Sequence, residues 1–293
     1  MNLNFSLVTV QERGKPTGCM ERDGKLYRLD DLGAPPTVAA LFEDWPRWSA
    51  FLAAAKPETP PLPENAPVLA PLLYPGKILC AGANYYDHSA EMGVPNVTKQ
   101  STRLFFFFKP PRNAVVGPGN TVRKPIGTNA MDWEIELAAV IGRRARAVSE
   151  AEALSHVAAY TVAIDFSTRD LGRAPETFYK IDWVAGKAHD TCCPMGPRLV
   201  PAAAIGDPQE LALKLWVNGE LKQNARTSGM IYSVAEQIAN LSRIMTLDPG
   251  DVVLTGTPAG VGAPKGTFLS VGDRVDAEIE KIGRLSVVIQ PEG

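Results

Sequence analysis

Two glutamates, Glu134 and Glu136, stand at the head of an apolar run, Asp132-Trp133-Glu134-Ile135-Glu136-Leu137-Ala138-Ala139-Val140-Ile141. In a β-strand, side chains at i and i+2 leave the backbone on the same face. Glu134 and Glu136 therefore stand side by side, with Ile135 and Leu137 facing the other way. Like charges on a half-buried face repel each other and are costly to desolvate. A fold that contains this strand has to supply a cation, a shared proton or nearby basic groups. A solvated strand face has the same spacing, but the apolar flanks weigh against that alternative.

The 293 residues allow one large or two modest domains with a sizeable core. Hydrophobic residues make up 45% and charged residues 21%, an ordinary globular balance. The net charge of -2 offers no basic surface for nucleic acid. No apolar run approaches the length of a membrane span. The opening Met1-Asn2-Leu3-Asn4-Phe5-Ser6 lacks a basic segment followed by an apolar one, so a cytoplasmic protein is expected. Cys19, Cys80, Cys192 and Cys193 fit neither a disulfide framework nor a zinc spacing, and buried free thiols are expected.

The segment Lys56-Pro57-Glu58-Thr59-Pro60-Pro61-Leu62-Pro63-Glu64-Asn65-Ala66-Pro67 is too rich in proline for helix or sheet. It divides the chain into a small N-terminal unit with its linker, residues 1–66, and a larger unit, residues 67–293. Beyond the linker, short strands dominate, including Lys77–Gly82, Arg103–Phe108, Thr161–Asp165 and Leu211–Val217, the last followed by an Asn218-Gly219 hairpin turn. Ser233 and Glu236 have capping-box spacing and start a helix with Val234, Ile238, Leu241 and Met245 on one face. A second helix is expected from about Glu150 to Ala159. The pattern is that of a β-rich α+β fold.

Four constellations carry potential chemistry. Glu134, Glu136 and Asp165, if brought together, favour a hard divalent cation, Mg²⁺ before Mn²⁺ or Ca²⁺. His88 and Glu91 share a helical face at i and i+3, where a carboxylate can orient an imidazole as a base; an ordinary surface pair has the same spacing. Lys187, beside Gly186, can stabilise a developing oxyanion or simply face solvent. The stretch Thr255-Gly256-Thr257-Pro258-Ala259-Gly260-Val261-Gly262 is neither a P-loop nor a dinucleotide fingerprint. Its glycines allow close approach to an anion, or form a purely structural turn.

Taken in order, six blocks resemble one family. They are Gly82-Ala83-Asn84-Tyr85-x-Asp87-His88-x-x-Glu91-Met92; Phe107-Phe108-Lys109-Pro110-Pro111; Asp132-Trp133-Glu134-Ile135-Glu136-Leu137; Asp165-x-x-x-Arg169-Asp170-Leu171; Gly186-Lys187 through Pro194-Met195-Gly196-Pro197; and Thr255 through Gly262. The arrangement resembles the fumarylacetoacetate hydrolase superfamily in its smaller bacterial branch. The resemblance implies a mixed β-roll with a small N-terminal accessory domain, and a homodimer. It implies that Glu134, Glu136 and Asp165 hold Mg²⁺ or Mn²⁺. It places His88 and Glu91 on a lid segment, Lys187 against the substrate oxygens and Thr257 at the substrate carboxylate. The chain departs from the pattern at Gly172, where the family commonly has a glutamine supporting the lid.

The activity this implies is hydrolytic C–C cleavage of an acylpyruvate-type diketo acid, of the fumarylpyruvate or maleylpyruvate class, in aromatic-compound catabolism. The alternatives are tautomerisation of a 2-hydroxy-dienedioate, decarboxylation of an oxaloacetate-like acid, or a catalytically silent metabolite-binding protein. No nucleic-acid or membrane partner is expected.

Overall fold

The run that carries the glutamate pair becomes strand Ile135–Ile141 of a computed structural model that describes residues 4–63 and 65–292. This strand lies near the middle of a ten-stranded mixed sheet and is buried along its whole length. It pairs antiparallel with Val157–Ile164 on one side and Val252–Leu254 on the other. Beyond Val252–Leu254 come the parallel strand Ile78–Gly82 and the edge strand Phe105–Lys109. Beyond Val157–Ile164 comes Cys193–Pro201, which also pairs in parallel with Val115–Val116.

Alternation along the central strand separates two cores. Ile135, Leu137, Ala139 and Ile141 face a core shared with a second, five-stranded sheet, through Leu213, Leu215, Val275, Ala277, Leu285 and Val287. Ala138 and Val140 face the opposite core, with Leu7, Met20, Phe42, Leu52 and Leu199. Glu136 is in phase with Ala138 and Val140 and so belongs to this second face. The sequence suggested a half-buried strand; the structure covers it on both faces.

Local signals account for much of the rest. Asn218 and Gly219 have φ of 51° and 81°, the left-handed pair that a tight hairpin between Ala212–Val217 and Glu220–Arg226 requires. The helix Val234–Ile244 starts in a reciprocal capping box of Ser233 and Glu236, as expected. The expected helix from Glu150 is shorter, however. It ends at Ala153, passes through a 3₁₀ turn at Leu154–His156, and gives way to strand at Val157. Val157, Ala158 and Ala159 continue an apolar run to Ile164 that is buried throughout, and burial between two neighbouring strands overrides helical spacing.

The N-terminal residues form a meander of Ser6–Glu12, Lys15–Arg22 and Lys25–Arg28. Its first strand joins the large sheet through Leu7, opposite Leu199. The proline-rich segment runs extended against this meander: the Leu62 amide donates to Leu26 O at 2.8 Å and the Gln11 amide to Pro67 O at 2.8 Å. Glu64 within it lies outside the described residues. Among the described residues, no helix is long and apolar enough to cross a membrane.

Leu7 is fully buried at the junction of meander and sheet. Leu7→Ala is expected to cost about 2–5 kcal/mol of stability in urea unfolding. A loss under about 1 kcal/mol would show that the junction is dispensable.

Candidate active site

Antiparallel register assembles the carboxylates. Ile164 lies opposite Ile135, and the next pair outward is Asp165 opposite Glu134, where the Asp165 amide donates to Glu134 O at 2.9 Å. Directly opposed residues of an antiparallel pair present their side chains to the same face. Asp165 therefore joins Glu134 and Glu136, and one carboxylate oxygen from each lies within 4.8 Å of the others. All three are buried, at 4%, 1% and 0% exposure for Glu134, Glu136 and Asp165, which excludes the solvated-face alternative.

The remaining sequence-predicted residues converge on the same end of the sheet. A cavity of about 210 Å³ is lined by His88, Glu134, Glu136, Asp165, Lys187 and Thr257, among others. Lys187 ends the short helix Trp183–Lys187, which Asp182 caps by accepting from the Ala185 amide. Its Nζ donates to Glu134 Oε2 at 2.5 Å and to Asp165 Oδ2 at 2.6 Å. His88 lies on the helix Tyr86–Glu91, with Nδ1 2.8 Å from Glu91 Oε1. Thr257 Oγ1 accepts from Gln223 Nε2 at 2.8 Å. Glu91 stands behind His88 rather than in the cavity wall. Of the other histidines, His156 contacts the Arg143 carbonyl and His189 the Ala185 carbonyl.

The glycine-rich stretch Thr255–Gly262 proves to be a clamp for protein carboxylates. The amide of Gly256 donates to Glu136 Oε2, that of Gly260 to Glu91 Oε2 at 2.9 Å, and that of Gly262 to Asp132 Oδ1 at 2.6 Å. Gly256 has φ of 96°, and a Cβ there would lie 2.7 Å from Asn84 Cβ. A Cβ at Gly262 would lie 1.9 Å from Thr267 O. Both positions need the missing side chain.

Three residues to which the sequence analysis assigns no role hold the site together. Lys109, fully buried, donates from Nζ to Asp165 Oδ1 at 2.6 Å, to Lys187 O at 2.6 Å and to Phe166 O at 3.0 Å. It fixes one carboxylate and the backbone of the other lysine. A lysine closing an aromatic strand before two prolines was the available signal. Arg169 bridges Asp132 Oδ2 at 2.8 Å and Glu134 Oε1 at 2.5 Å. Gln223, from the five-stranded sheet, accepts from the Ile135 amide at 3.0 Å while donating to Thr257. It ties the glutamate strand to the Thr255–Gly262 loop, and nothing in its local sequence marks it.

These contacts divide the charges unequally. Burial opposes ionisation of Glu134, but Lys187 and Arg169 outweigh it and lower its pKa. Burial likewise opposes the charge on Lys187, yet Asp165 and Glu134 raise its pKa. Among the described residues Glu136 has no cation in contact, only the Gly256 amide; burial, Asp165 and Glu134 push its pKa well above the usual carboxylate value. The site is thus short of positive charge at Glu136. Three buried oxygen donors with that deficit fit a hard divalent cation.

Gly172 also has a structural explanation. It lies on the short helix Arg169–Gly172, packed against the helix that carries Lys187. A Cβ on Gly172 would sit 3.1 Å from Gly186 Cα, and one on Gly186 would sit 3.0 Å from Gly172 Cα. The two glycines let the helix bearing Arg169 and the helix bearing Lys187 approach closely.

The three buried carboxylates beside this end-of-sheet pocket form a group that can hold a divalent metal ion. The chain matches the model of the fumarylacetoacetate (FAA) hydrolase C-terminal family over residues 77–290, and it belongs to that family. It is 42% identical over 224 residues to the mitochondrial oxaloacetate tautomerase fahd2 of Xenopus laevis, covering 76% of this chain and 68% of that one. It is 38% identical over 285 residues to the 2,4-didehydro-3-deoxy-L-rhamnonate hydrolase of Sphingomonas sp. (strain SKA58), covering 96% and 94%. The solved fumarylpyruvate hydrolase from Pseudomonas aeruginosa, in complex with Mn²⁺ and pyruvate, superposes with a TM-score of 0.68 at 36% identity, covering 76% of this chain and 91% of that one. Members of the family are enzymes, among them hydrolases, isomerases and tautomerases.

Gly172→Gln is expected to overpack the contact with Gly186 and to cost about 1–3 kcal/mol in urea unfolding. Unchanged stability would mean that the two short helices part freely.

Proposed function

We propose that the protein is a divalent-metal-dependent hydrolase that cleaves the C–C bond of an acylpyruvate, giving pyruvate and a carboxylic acid. The observation that carries this reading is the His88–Glu91 pair, held at 2.8 Å beside the cavity that contains the three carboxylates and Lys187. A tautomerase has to move a proton; a hydrolase must also activate water. An imidazole fixed by a carboxylate through Nδ1 has Nε2 free for that task.

Glu134, Glu136 and Asp165 would hold the cation, Mg²⁺ or Mn²⁺, and the Mn²⁺ and pyruvate in the fumarylpyruvate hydrolase relative support that assignment. When bound, the cation supplies Lewis acidity for the negative charge that develops on the pyruvate fragment. The chain's residues do the rest. Glu91, itself fixed by the Gly260 amide, orients His88. His88 takes a proton from water, which attacks the carbonyl distal to the carboxylate. Lys187 adds positive charge beside the reacting oxygens. Thr257, held by Gln223, donates its hydroxyl to the substrate carboxylate. The bond between the attacked carbonyl and the neighbouring methylene then breaks, its electron pair stays with the pyruvate fragment, and His88 returns its proton there, so that pyruvate leaves as its enol. The rhamnonate hydrolase relative supports the substrate class, because its named substrate is a 2,4-dioxo acid.

Tautomerisation is the second reading, favoured by the oxaloacetate tautomerase relative. The two readings separate on the product, because tautomerisation leaves the carbon skeleton intact.

Purified protein with Mg²⁺ or Mn²⁺ is expected to release pyruvate from a panel of acylpyruvates and to lose that activity in EDTA. No pyruvate from any member of the panel would sink the hydrolase reading. His88→Ala is expected to lower kcat about 10²–10⁴-fold, as loss of a general base does. Glu134→Ala should weaken Mn²⁺ binding measured by calorimetry, and unchanged affinity would remove the metal assignment.

A further inference from the structure

The carboxylate floor opens beside a larger chamber of about 580 Å³, and Met92, Arg169, Trp183 and Lys187 line both. This volume is ample for the acyl arm of a small substrate. Its walls are largely apolar, from Met92, Ile181, Trp183 and Phe268, and Gly172 contributes no side chain to narrow it. Five charged residues line it: Arg169, Asp170, Arg173, Asp182 and Lys187. Four of them are committed. Arg169 pairs with Asp132 and Glu134, and Lys187 with Glu134 and Asp165. Asp170 accepts from Thr128 Oγ1 and the Asn129 amide, and Asp182 caps the Ala185 amide.

Arg173 differs. Among the described residues its guanidinium has neither a hydrogen-bond partner nor an ion-pair partner, although its backbone is anchored. It forms a β-bridge with Ile181, and the neighbouring Asp182 amide donates to Gly172 O at 3.0 Å. A guanidinium on a fixed base, beside an apolar chamber, matches a carboxylate by two parallel N–H donors, and no existing ion pair has to be broken.

We infer that Arg173 is a specificity-determining residue that binds a terminal carboxylate on the acyl arm. The preferred substrates are then dicarboxylic: a 2-oxo acid head at the three carboxylates, an apolar middle between Trp183 and Met92, and a second carboxylate at Arg173. This inference rests on the proposed binding of a 2-oxo acid head at the metal site, and its test does not depend on turnover.

The test is calorimetric binding of two inert 2-oxo acids of equal chain length, 2-oxoheptanedioate and 2-oxoheptanoate, to the Mn²⁺-loaded protein. The wild type is expected to bind the dicarboxylate at least tenfold more tightly. Arg173→Ala should abolish the preference while leaving 2-oxoheptanoate affinity within twofold, and Arg173→Lys should keep only part of it. Equal affinities in the wild type, or equal weakening of both ligands in Arg173→Ala, would overturn the role of Arg173. Binding of neither ligand would overturn the 2-oxo acid reading of the site and this inference with it. Pyruvate release from acetylpyruvate by the wild type, measured separately, reports on hydrolysis alone. Arg173 is exposed, so Arg173→Ala should fold normally, which an unchanged Tm would verify.

Discussion

One strand pairing governs this molecule: Ile135–Ile141 against Val157–Ile164, in a register that sets Asp165 opposite Glu134. Shifting that register by one residue would turn every side chain of a strand to the other face. Asp165 would then enter the apolar core with Leu137 and Val162. The hydrophobic alternation that fills two cores therefore also fixes three carboxylates at one sheet end. The charges sit where sheet packing puts them, and the rest of the site answers that concentration of negative charge.

The answer is distributed. Lys109 and Lys187 each take one oxygen of Asp165, Lys187 and Arg169 each take one oxygen of Glu134, and Asp132 holds Arg169. Buried charge of this kind survives only when paired and fully hydrogen-bonded. Among the described residues Glu136 is the member without a contacting cation, so the deficit is localised rather than shared. That localisation leaves the need for a further positive charge at one carboxylate of the cluster.

Much of this was legible in the sequence because it depends on short-range rules. The period of two put Glu134 and Glu136 on one face, Asn218-Gly219 marked a hairpin, and Ser233 with Glu236 marked a helix start. The convergence of His88, Lys187 and Thr257 came from the ordered resemblance, since no local rule links positions so far apart. What stayed hidden depends on tertiary contact. Gln223 looks like any polar residue of a hairpin strand until the second sheet packs against the Ile135 amide. Gly172 is only a missing glutamine in the sequence; its packing against Gly186 exists only in the fold. The sequence extends the helix from Glu150 too far because Val157 to Ala159 suit a helix locally and a buried strand globally.

The Thr255–Gly262 loop grips Glu136, Glu91 and Asp132 through main-chain amides. No side-chain replacement in that loop can delete those donors, provided its glycines stay. The chemical framework is thereby insulated from ordinary sequence drift. Among the described residues, the segment from Arg173 to Ile181 gives no amide to those three carboxylates, and it projects Phe178 and Tyr179 outward at 90% and 82% exposure. Replacing those two exposed aromatics would leave the main-chain grip on the acids intact. The hold on the acids and the shape of the outer surface are therefore set by separate parts of the chain, and a change of side chain in one leaves the other in place.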